Sequence, residues 1–266
     1  MICQYTLNEA NAWAHFSGDY NPIHFSVEHA RSMESEHIVV HGMRAMLDMK
    51  RSLSESLLSR LPIGDFFRFS ARLRKPMHCD RPYLLCVSEA GGRFNGKMLD
   101  MHDDSECFSA RLFPAMQPSK TLPPRADSRC VSSTETLKEL FPGCADTPEE
   151  YWSFWDALLF QRLLAAPELP LAINAVEPAF KATSSEAVFS RFPVVQTHHE
   201  VLFSVELLYP KPELSMHYAI LPIHIVGNKD SGLIMRAEIQ AWGRKQQPLI
   251  STAITLKTWP MNRTKH

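Results

Sequence analysis

The sequence lacks several features that would assign it to a broad class at once. Acidic and basic residues nearly balance, 29 against 28, so no field of one sign indicates a nucleic-acid partner. No apolar run approaches the length of a membrane span, and the N-terminus has neither the basic nor the apolar region of a signal peptide. We therefore expect a cytoplasmic protein that binds neither nucleic acid nor membrane.

Paired cysteines are also missing. The six cysteines are scattered without a C-x-x-C pair, which argues against both a zinc ribbon and a disulfide framework. Several lie in apolar, strand-like sequence, where a buried free thiol is the ordinary state. This cysteine usage favours a reducing compartment.

The sequence does contain one order of elements, helices and then strands, that occurs twice. In the first half, helices are predicted at residues 6–16, 27–33 and 38–57, the first capped by Thr6 or Asn8 and the last entered through His41 and Gly42. Strands are predicted at residues 67–73, 83–88, 97–101 and 106–112, with turns at 91–92, 95–96 and 103–104.

A proline-rich stretch separates this first half from the second. The second half has predicted helices at residues 148–164 and 171–180 and strands at 201–208, 217–226, 233–242 and 249–259. The pattern predicts an α+β protein of two units. Their bounds are residues 1–115 for the first unit, 116–133 for the linker and 134–266 for the second unit.

The most informative stretch lies directly after the first predicted helix. It reads Phe16-Ser17-Gly18-Asp19-Tyr20-Asn21-Pro22-Ile23-His24, with Ala30 beyond it and His41-Gly42-Met43 at the start of the long helix. By itself, Asp-x-Asn-Pro is typical of a turn or a helix cap. His24 and His41 without a placed third ligand are a weak metal site, so no metal is predicted.

Taken together, these residues resemble the hydratase motif of the MaoC-like, (R)-specific enoyl-CoA hydratase family. The resemblance is specific over about residues 5–50, looser to about residue 113, and slight in the second half. It implies a double hot-dog fold, in which two antiparallel sheets each wrap around a central helix and form a pseudo-dimer in one chain. Because the second half lacks the motif, we expect one active site per chain.

The resemblance also implies roles for individual residues. It gives Asp19 and His24 as the acid–base pair and Gly42 as a backbone oxyanion donor, for hydration of a 2-enoyl thioester or dehydration of a 3-hydroxyacyl thioester. An Asp and a His on one tight loop can hold a water between them, and a helix N-terminus can polarise a thioester oxygen. No cofactor is needed, and the order of the proton transfers stays open.

The expected substrate carriers are coenzyme A and acyl carrier protein, both of which are anionic. The predicted substrate-binding residues are Asn21, His41, Arg72, Arg74 and Lys75. The alternating strand places Arg68, Arg72 and Arg74 on one face, which is equally typical of a solvated surface. His41 is alternatively a structural histidine, and the chain is expected to be a monomer or a homodimer.

One position departs from the family pattern. Where the family often has a hydroxyl residue, eight positions after Gly42, this chain has Lys50. We expect Lys50 to lie outside the pocket or to pair with Asp48 or Glu55 on a solvated face. Two other functions stay open: an acyl-CoA thioesterase, and a non-catalytic module that binds acyl thioesters. No role is predicted for His198, His199 or His217.

Overall fold

The computed structural model of the protein describes residues 1–31, 34–60, 64–117, 128–191, 194–228 and 230–258. The helices are α1 (Leu7–Ser17), α2 (Val27–Arg31), α3 (Gly42–Leu58), α4 (Glu135–Leu140), α5 (Tyr151–Leu164), α6 (Glu168–Val176) and α7 (Ser185–Arg191). The strands are β1 (Ile2–Gln4), β2 (Phe66–Leu73), β3 (Pro82–Ala90), β4 (Arg93–Asp100), β5 (Glu106–Ala115), β6 (Arg129–Ser132), β7 (Val194–Ser204), β8 (Ser215–Ile220), β9 (His224–Asn228), β10 (Gly232–Trp242) and β11 (Pro248–Thr258). None of these helices is long and apolar enough to cross a bilayer.

One antiparallel sheet runs through both halves of the chain. Its strand order is β1-β3-β4-β5-β2-β7-β11-β10-β8-β6, with β9 also paired to β10. The β2–β7 pair lies at the centre, from Phe66 opposite Ser204 to Arg72 opposite His198. α3 packs on β3, β4 and β5, and α5 packs on β10 and β11. The predicted double hot-dog is confirmed.

The long helix α3 forms where its apolar spacing predicts it. Its core-facing side chains are buried between the sheet and the other helices: Met43, Met46, Leu47, Met49, Leu53 and Leu57. The sheet approaches α3 closely at Gly96, where a Cβ atom would lie only 2.0 Å from the sulfur of Met49. The predicted turn at residues 95–96 is therefore wrong, because this glycine lies within β4 and makes room for the helix.

The second half differs from its predicted boundaries in several places. β7 begins at Val194 rather than at residue 201, and residues 205–208 form a 3₁₀ helix capped by Ser204. The predicted strand 217–226 is two strands, separated near Pro222, which has no N–H to donate. The short elements β1, β6, α4 and α7 were not predicted from the sequence.

The predicted linker is only partly a linker. Residues 118–127 lie outside the described residues, whereas residues 129–132 form β6 at the edge of the sheet. β6 pairs with β8 and buries Val131. The sheet of the second half thus begins before residue 134, because one buried apolar residue was too weak a pattern to reveal a strand.

Candidate active site

The motif loop is shaped by local hydrogen bonds. α1 is capped by Thr6 through a capping box with Glu9 and ends at Gly18, which adopts the left-handed conformation with φ 75°. The Asp19 carboxylate then accepts the Asn21 N–H at 3.3 Å. The Asn21 side chain in turn caps the short 3₁₀ helix that contains His24. This sequence of caps brings the two motif side chains to the same side of the loop.

Asn21 also ties the loop to the second half of the chain. Its side-chain N–H donates to the carbonyl oxygen of Val194, the first residue of β7, at 2.9 Å. Asn21 is buried, and both of its polar groups are satisfied by backbone partners. Asn21 therefore holds the loop in place, in addition to lining the cavity where it was predicted to bind substrate.

His24 is held in one orientation by a single strong contact. Its Nδ1 lies 2.7 Å from the carbonyl oxygen of Val39. A carbonyl only accepts, so Nδ1 carries the proton and, in the neutral ring, Nε2 is left as the acceptor. His24 and Asp19 both line a cavity of about 310 Å³, so the free nitrogen belongs to a side chain on the cavity wall.

His41 lies behind His24 rather than on the cavity wall. The two imidazole rings stack with centroids 3.7 Å apart. His41 Nε2 donates to the backbone carbonyl of Asp19 at 3.0 Å, while its Nδ1 is buried without a hydrogen-bond partner among the described residues. The structure thus gives His41 the structural role that was the alternative to substrate binding.

Gly42 is the first residue of α3 and lines the same cavity. The first N–H groups of a helix have no partner within it, and His41 provides no side-chain cap. A Cβ atom on residue 42 would lie 2.7 Å from a methyl carbon of Leu73 and 3.4 Å from Gln196 Oε1. Glycine therefore leaves this helix N-terminus open to a ligand.

Burial shifts the pKa values of the motif groups toward their neutral forms. It raises the pKa of the Asp19 carboxyl, an effect opposed by His24 and by the Asn21 N–H. Burial lowers the pKa of His24, opposed by Asp19 and by the Val39 carbonyl. Burial, reinforced by His24, puts the pKa of His41 well below its ordinary value. Burial thus favours the neutral forms of both Asp19 and His24, in which one proton to be transferred sits on the pair.

The same three residues were tested as a metal site. One possible ligand atom from each of Asp19, His24 and His41 lies within 4.8 Å of the others. However, the stacked rings are inclined by only 27°, so their lone pairs run side by side instead of converging. One nitrogen of each ring is also held by a backbone carbonyl. The geometry favours an acid–base pair over a metal centre.

The predicted basic residues do not act as one group. Arg74 and Lys75 line the cavity, but Arg72 points away from it as an exposed residue within β2. Arg74 pairs with Glu106 at 2.5 Å, and Lys75 lies 3.7 Å from Asp103. Arg72 as a substrate-binding residue is therefore not supported. Side chains alternate between the two faces of β2, and the neighbouring Leu73 lines the cavity, so Arg72 lies on the opposite face.

The second half supplies much of the cavity wall, as expected of a second unit that completes the pocket of the first. It contributes Phe160 and Leu164 from α5, Phe189 from α7, residues 194–197 from β7, and Leu256 and Lys257 from β11. Apart from the basic Lys257, these residues are apolar or uncharged, and none of them belongs to the motif. Only the pairing of β2 with β7 brings them opposite Asp19 and His24.

Lys50 is neither exposed nor paired with Asp48 or Glu55. It is fully buried and forms an ion pair with Asp156 of α5. Asp156 also contacts His199 Nε2 at 2.9 Å and accepts the Thr252 hydroxyl at 2.7 Å. The side-chain nitrogen of Gln196 lies 3.0 Å from His199 Nδ1. We call Lys50, Asp156, Thr252, His199 and Gln196 the Asp156 network. In the sequence, the sign of this network is a single acidic residue, Asp156, within the apolar run of α5.

Comparisons with solved structures concern the fold. A conserved hypothetical protein from Mycobacterium tuberculosis, reported to have a double hot-dog fold, has a TM-score of 0.48 and 11% identity, covering 97% of this chain and 94% of that chain. The dehydratase domain from the CurJ module of curacin polyketide synthase has a TM-score of 0.46 and 10% identity, with coverages of 89% and 90%. The tesB protein from Mycobacterium avium subsp. paratuberculosis has a TM-score of 0.43 and 14% identity, with coverages of 84% and 88%.

No protein-family model and no curated protein sequence matches the chain. At the identities of the structural relatives, the likeness extends to the fold alone. Membership of the MaoC-like family accordingly stays a prediction from the motif.

Proposed function

We propose that this protein catalyses the reversible hydration of a 2-enoyl thioester to a 3-hydroxyacyl thioester. The observation that carries the proposal is the orientation of His24. Its Nδ1–H is fixed on Val39, which leaves Nε2 as the acceptor on the cavity wall that also holds the Asp19 carboxylate and the N-terminus of α3. Base, acid and oxyanion donor thus share one cavity.

Hydration requires two proton transfers and one new C–O bond. One member of the Asp19–His24 pair removes a proton from water as the oxygen attacks C3, and the other delivers a proton to C2. Charge develops on the thioester oxygen between these events, where the Gly42 N–H and the dipole of α3 would stabilise it. Dehydration is the same sequence in reverse. Which residue acts first stays open.

The pKa directions of the two residues fit a pair that both accepts and donates a proton. The lowered pKa of His24 favours a neutral imidazole that can accept a proton, and the raised pKa of Asp19 favours a protonated carboxyl that holds a proton to donate. The pair is active with one proton between its two members. The rate should therefore fall at both low and high pH, with both limits belonging to the pair as a unit.

The mouth of the cavity suits an anionic carrier. Arg74, Lys75 and Lys257 line the cavity together with apolar residues. Phosphate groups of coenzyme A or of a carrier-linked phosphopantetheine would be attracted to such a mouth. The chemistry calls for no cofactor or metal. The choice of carrier, a cytoplasmic location, and the choice between monomer and homodimer stay predictions.

Two alternatives use the same cavity differently. An acyl-CoA thioesterase would use the Asp19 carboxylate to direct water at the thioester carbonyl that Gly42 polarises. A non-catalytic acyl-thioester-binding module is favoured by Lys50, because the Asp156 network replaces the hydroxyl group that the family often has at this position. Each alternative has its own readout.

The first test follows the enoyl absorbance of crotonyl-CoA and longer trans-2-enoyl-CoAs with purified protein. We expect absorbance to fall, and we expect Asp19→Asn and His24→Ala each to slow turnover by about 10²- to 10⁴-fold. The exposed His15→Ala is the matched control and should leave the rate unchanged. Release of free thiol with intact enoyl absorbance would instead identify a thioesterase, and tight binding without turnover of CoA-linked or carrier-linked substrates would identify a binding module.

A further inference from the structure

The Asp156 network connects the buried interface between the two central helices to the cavity. Lys50 comes from α3, Asp156 from α5, and His199 and Gln196 from β7. Lys50, Asp156 and His199 are fully buried, whereas Gln196 is partly exposed and lines the cavity. A chain of contacts thus ends in one side-chain amide at the proposed active site.

The chemistry of the network determines which way this amide points. The Lys50 ammonium and His199 hold the pKa of Asp156 well below its ordinary value, so Asp156 is a carboxylate and only accepts. His199 must therefore donate from Nε2. Burial lowers the pKa of His199, so its ring is neutral and Nδ1 accepts. The group of Gln196 that faces Nδ1 at 3.0 Å is consequently its NH₂.

The oxygen of Gln196 is left for the cavity. The amide nitrogen also approaches the sulfur of Met43 at 3.7 Å and the carbonyl of His198 at 3.5 Å, which uses its second proton. No described residue donates a hydrogen bond to Oε1. This oxygen lies 3.4 Å from the position that a Cβ of Gly42 would take, at the mouth of the α3 N-terminus.

The cavity therefore presents a donor and an acceptor side by side. The Gly42 N–H can donate a hydrogen bond to a thioester carbonyl. Gln196 Oε1 cannot bind that carbonyl, because the amide oxygen and the thioester oxygen are both acceptors. In a 3-hydroxyacyl thioester, C3 lies two carbons from the carbonyl carbon and carries a hydroxyl. This hydroxyl can donate a hydrogen bond. Its position in the chain puts it within reach of an acceptor beside Gly42.

We propose that Gln196 is a substrate-positioning residue whose side-chain oxygen accepts a hydrogen bond from the C3 hydroxyl of the product, or from the water that becomes it. This inference rests on the proposed function and extends it to the second half of the chain. Through His199, the Asp156 network fixes the amide so that it presents oxygen rather than nitrogen.

The test compares the binding of 3-hydroxyacyl-CoAs with that of saturated acyl-CoAs of equal length, from four to ten carbons, by calorimetry. Asp19→Asn serves as the background, because its slowed turnover leaves the 3-hydroxyacyl-CoA largely unchanged during the titration. We expect the hydroxylated ligand to bind about five- to tenfold more tightly at the preferred length, the ratio expected from one neutral hydrogen bond. Gln196→Met should abolish that preference and leave the affinity for the saturated ligand within about twofold.

Further variants separate positioning from packing. Gln240→Met, a glutamine on β10 outside this cavity, should leave the preference unchanged. Gln196→Asn, which withdraws the oxygen by one methylene, should lose the preference and replaces the Met variant if that variant fails to fold.

Three outcomes would overturn the inference. The first is equal affinity of the background protein for both ligands at every chain length. The second is an unchanged preference for the hydroxylated ligand in both Gln196→Met and Gln196→Asn. The third is an equal loss of affinity for both ligands in these variants. If the protein with an intact Asp19 hydrates enoyl-CoA while any of these is observed, only the role of Gln196 fails. Absence of turnover and of binding to either ligand would remove the proposed function as well.

Discussion

Asp19 and His24 influence each other because they lie close together on the cavity wall, where His24 is buried and Asp19 is partly buried. Burial disfavours the charged form of either group, and the opposite charge of the partner restores part of it. Neither pKa is therefore a property of one residue. The shift in the pKa of one group when the other is removed is therefore a direct measure of their electrostatic interaction.

The substitution Asp19→Asn should lower the pKa of His24 further. The carboxylate raises the pKa of His24, so its removal leaves burial less opposed and makes the imidazolium less favourable. Titration of the His24 ring by NMR would measure the change. Asp146→Asn, whose carboxylate pairs with Lys138 in the second half, is the control and should not move it. A raised pKa of His24 in Asp19→Asn would contradict the proposed contact.

Gly42→Ala should damage activity more than stability. The added methyl would meet the flexible end of the Leu73 side chain at 2.7 Å, which can move, and would stand beside the helix N–H that the substrate needs. We expect kcat/KM to fall about 10- to 100-fold, the effect of a small misplacement at a reacting centre. Thermal unfolding should change little, since alanine suits a helix better than glycine does. Full activity would argue against Gly42 as the oxyanion donor.

Removal of metal ions should have no effect. The stacked His24 and His41 rings, each with one nitrogen on a backbone carbonyl, do not form a converging ligand set. Dialysis against EDTA is expected to leave the hydration rate unchanged, with metal content measured by mass spectrometry before and after. Loss of activity that Zn²⁺ restores would show that Asp19, His24 and His41 form a metal centre after all.

At the scale of elements, α3 and α5 are joined by a charged pair within an apolar interface. Lys50 of α3 and Asp156 of α5 have no exposed surface. Phe69 and Trp152 lie within 6 Å of the Lys50 ammonium, with ring centroids at 5.5 and 5.7 Å. A buried pair of this kind stabilises little by itself, but removal of one partner strands the other charge in a medium of low polarity.

Asp156→Asn should therefore lower the free energy of unfolding by about 3 to 5 kcal/mol. The Lys50 ammonium would keep only a neutral amide as its partner. Chemical denaturation at neutral pH would measure the loss. Glu206→Gln, which breaks a surface pair with Lys211, is the control and should cost less than about 1 kcal/mol. Equal stability of Asp156→Asn and the wild-type protein would mean that Lys50 is uncharged in the folded state.

At the scale of the whole molecule, the two halves complete each other. β2 of the first half pairs with β7 of the second along the centre of the sheet. Asn21 donates a hydrogen bond across the same boundary to the Val194 carbonyl, and the Lys50 ammonium pairs with Asp156 of α5. A separated half would expose a long central strand edge and an unpaired buried charge. The cavity would also lose one of its walls.

Residues 1–115 expressed alone should consequently fail to form a stable, active protein. We expect poor solubility or a non-cooperative thermal transition by circular dichroism, because the edge of β2 and the surroundings of Lys50 are left uncovered. Co-expression with residues 116–266 should recover cooperative unfolding and enoyl-CoA hydration, since the interface is formed by many contacts rather than by the connecting chain. A folded, active fragment 1–115 would refute this dependence.

The sequence by itself determined the local elements of the site. Thr6 with Glu9 sets the start of α1, Gly18 and Asn21 shape the loop, and the apolar spacing after Gly42 makes α3. These features depend on neighbours within a few residues, so a single sequence reveals them. The presence of Asp19, His24 and Gly42 on one cavity was predicted through the resemblance to the hydratase motif, and all three line that cavity.

Only the tertiary structure decided what faces that motif. The pairing of Lys50 with Asp156 and the contact of Asp156 with His199 depend on how distant segments of the chain pack, and so does the position of Arg72 outside the cavity. In these contacts, side chains that are far apart in the sequence meet, and no spacing pattern in the sequence indicates that they do. Local propensity fixes helices and caps, whereas the partner of a buried charge and the wall of a cavity are properties of packing between distant segments.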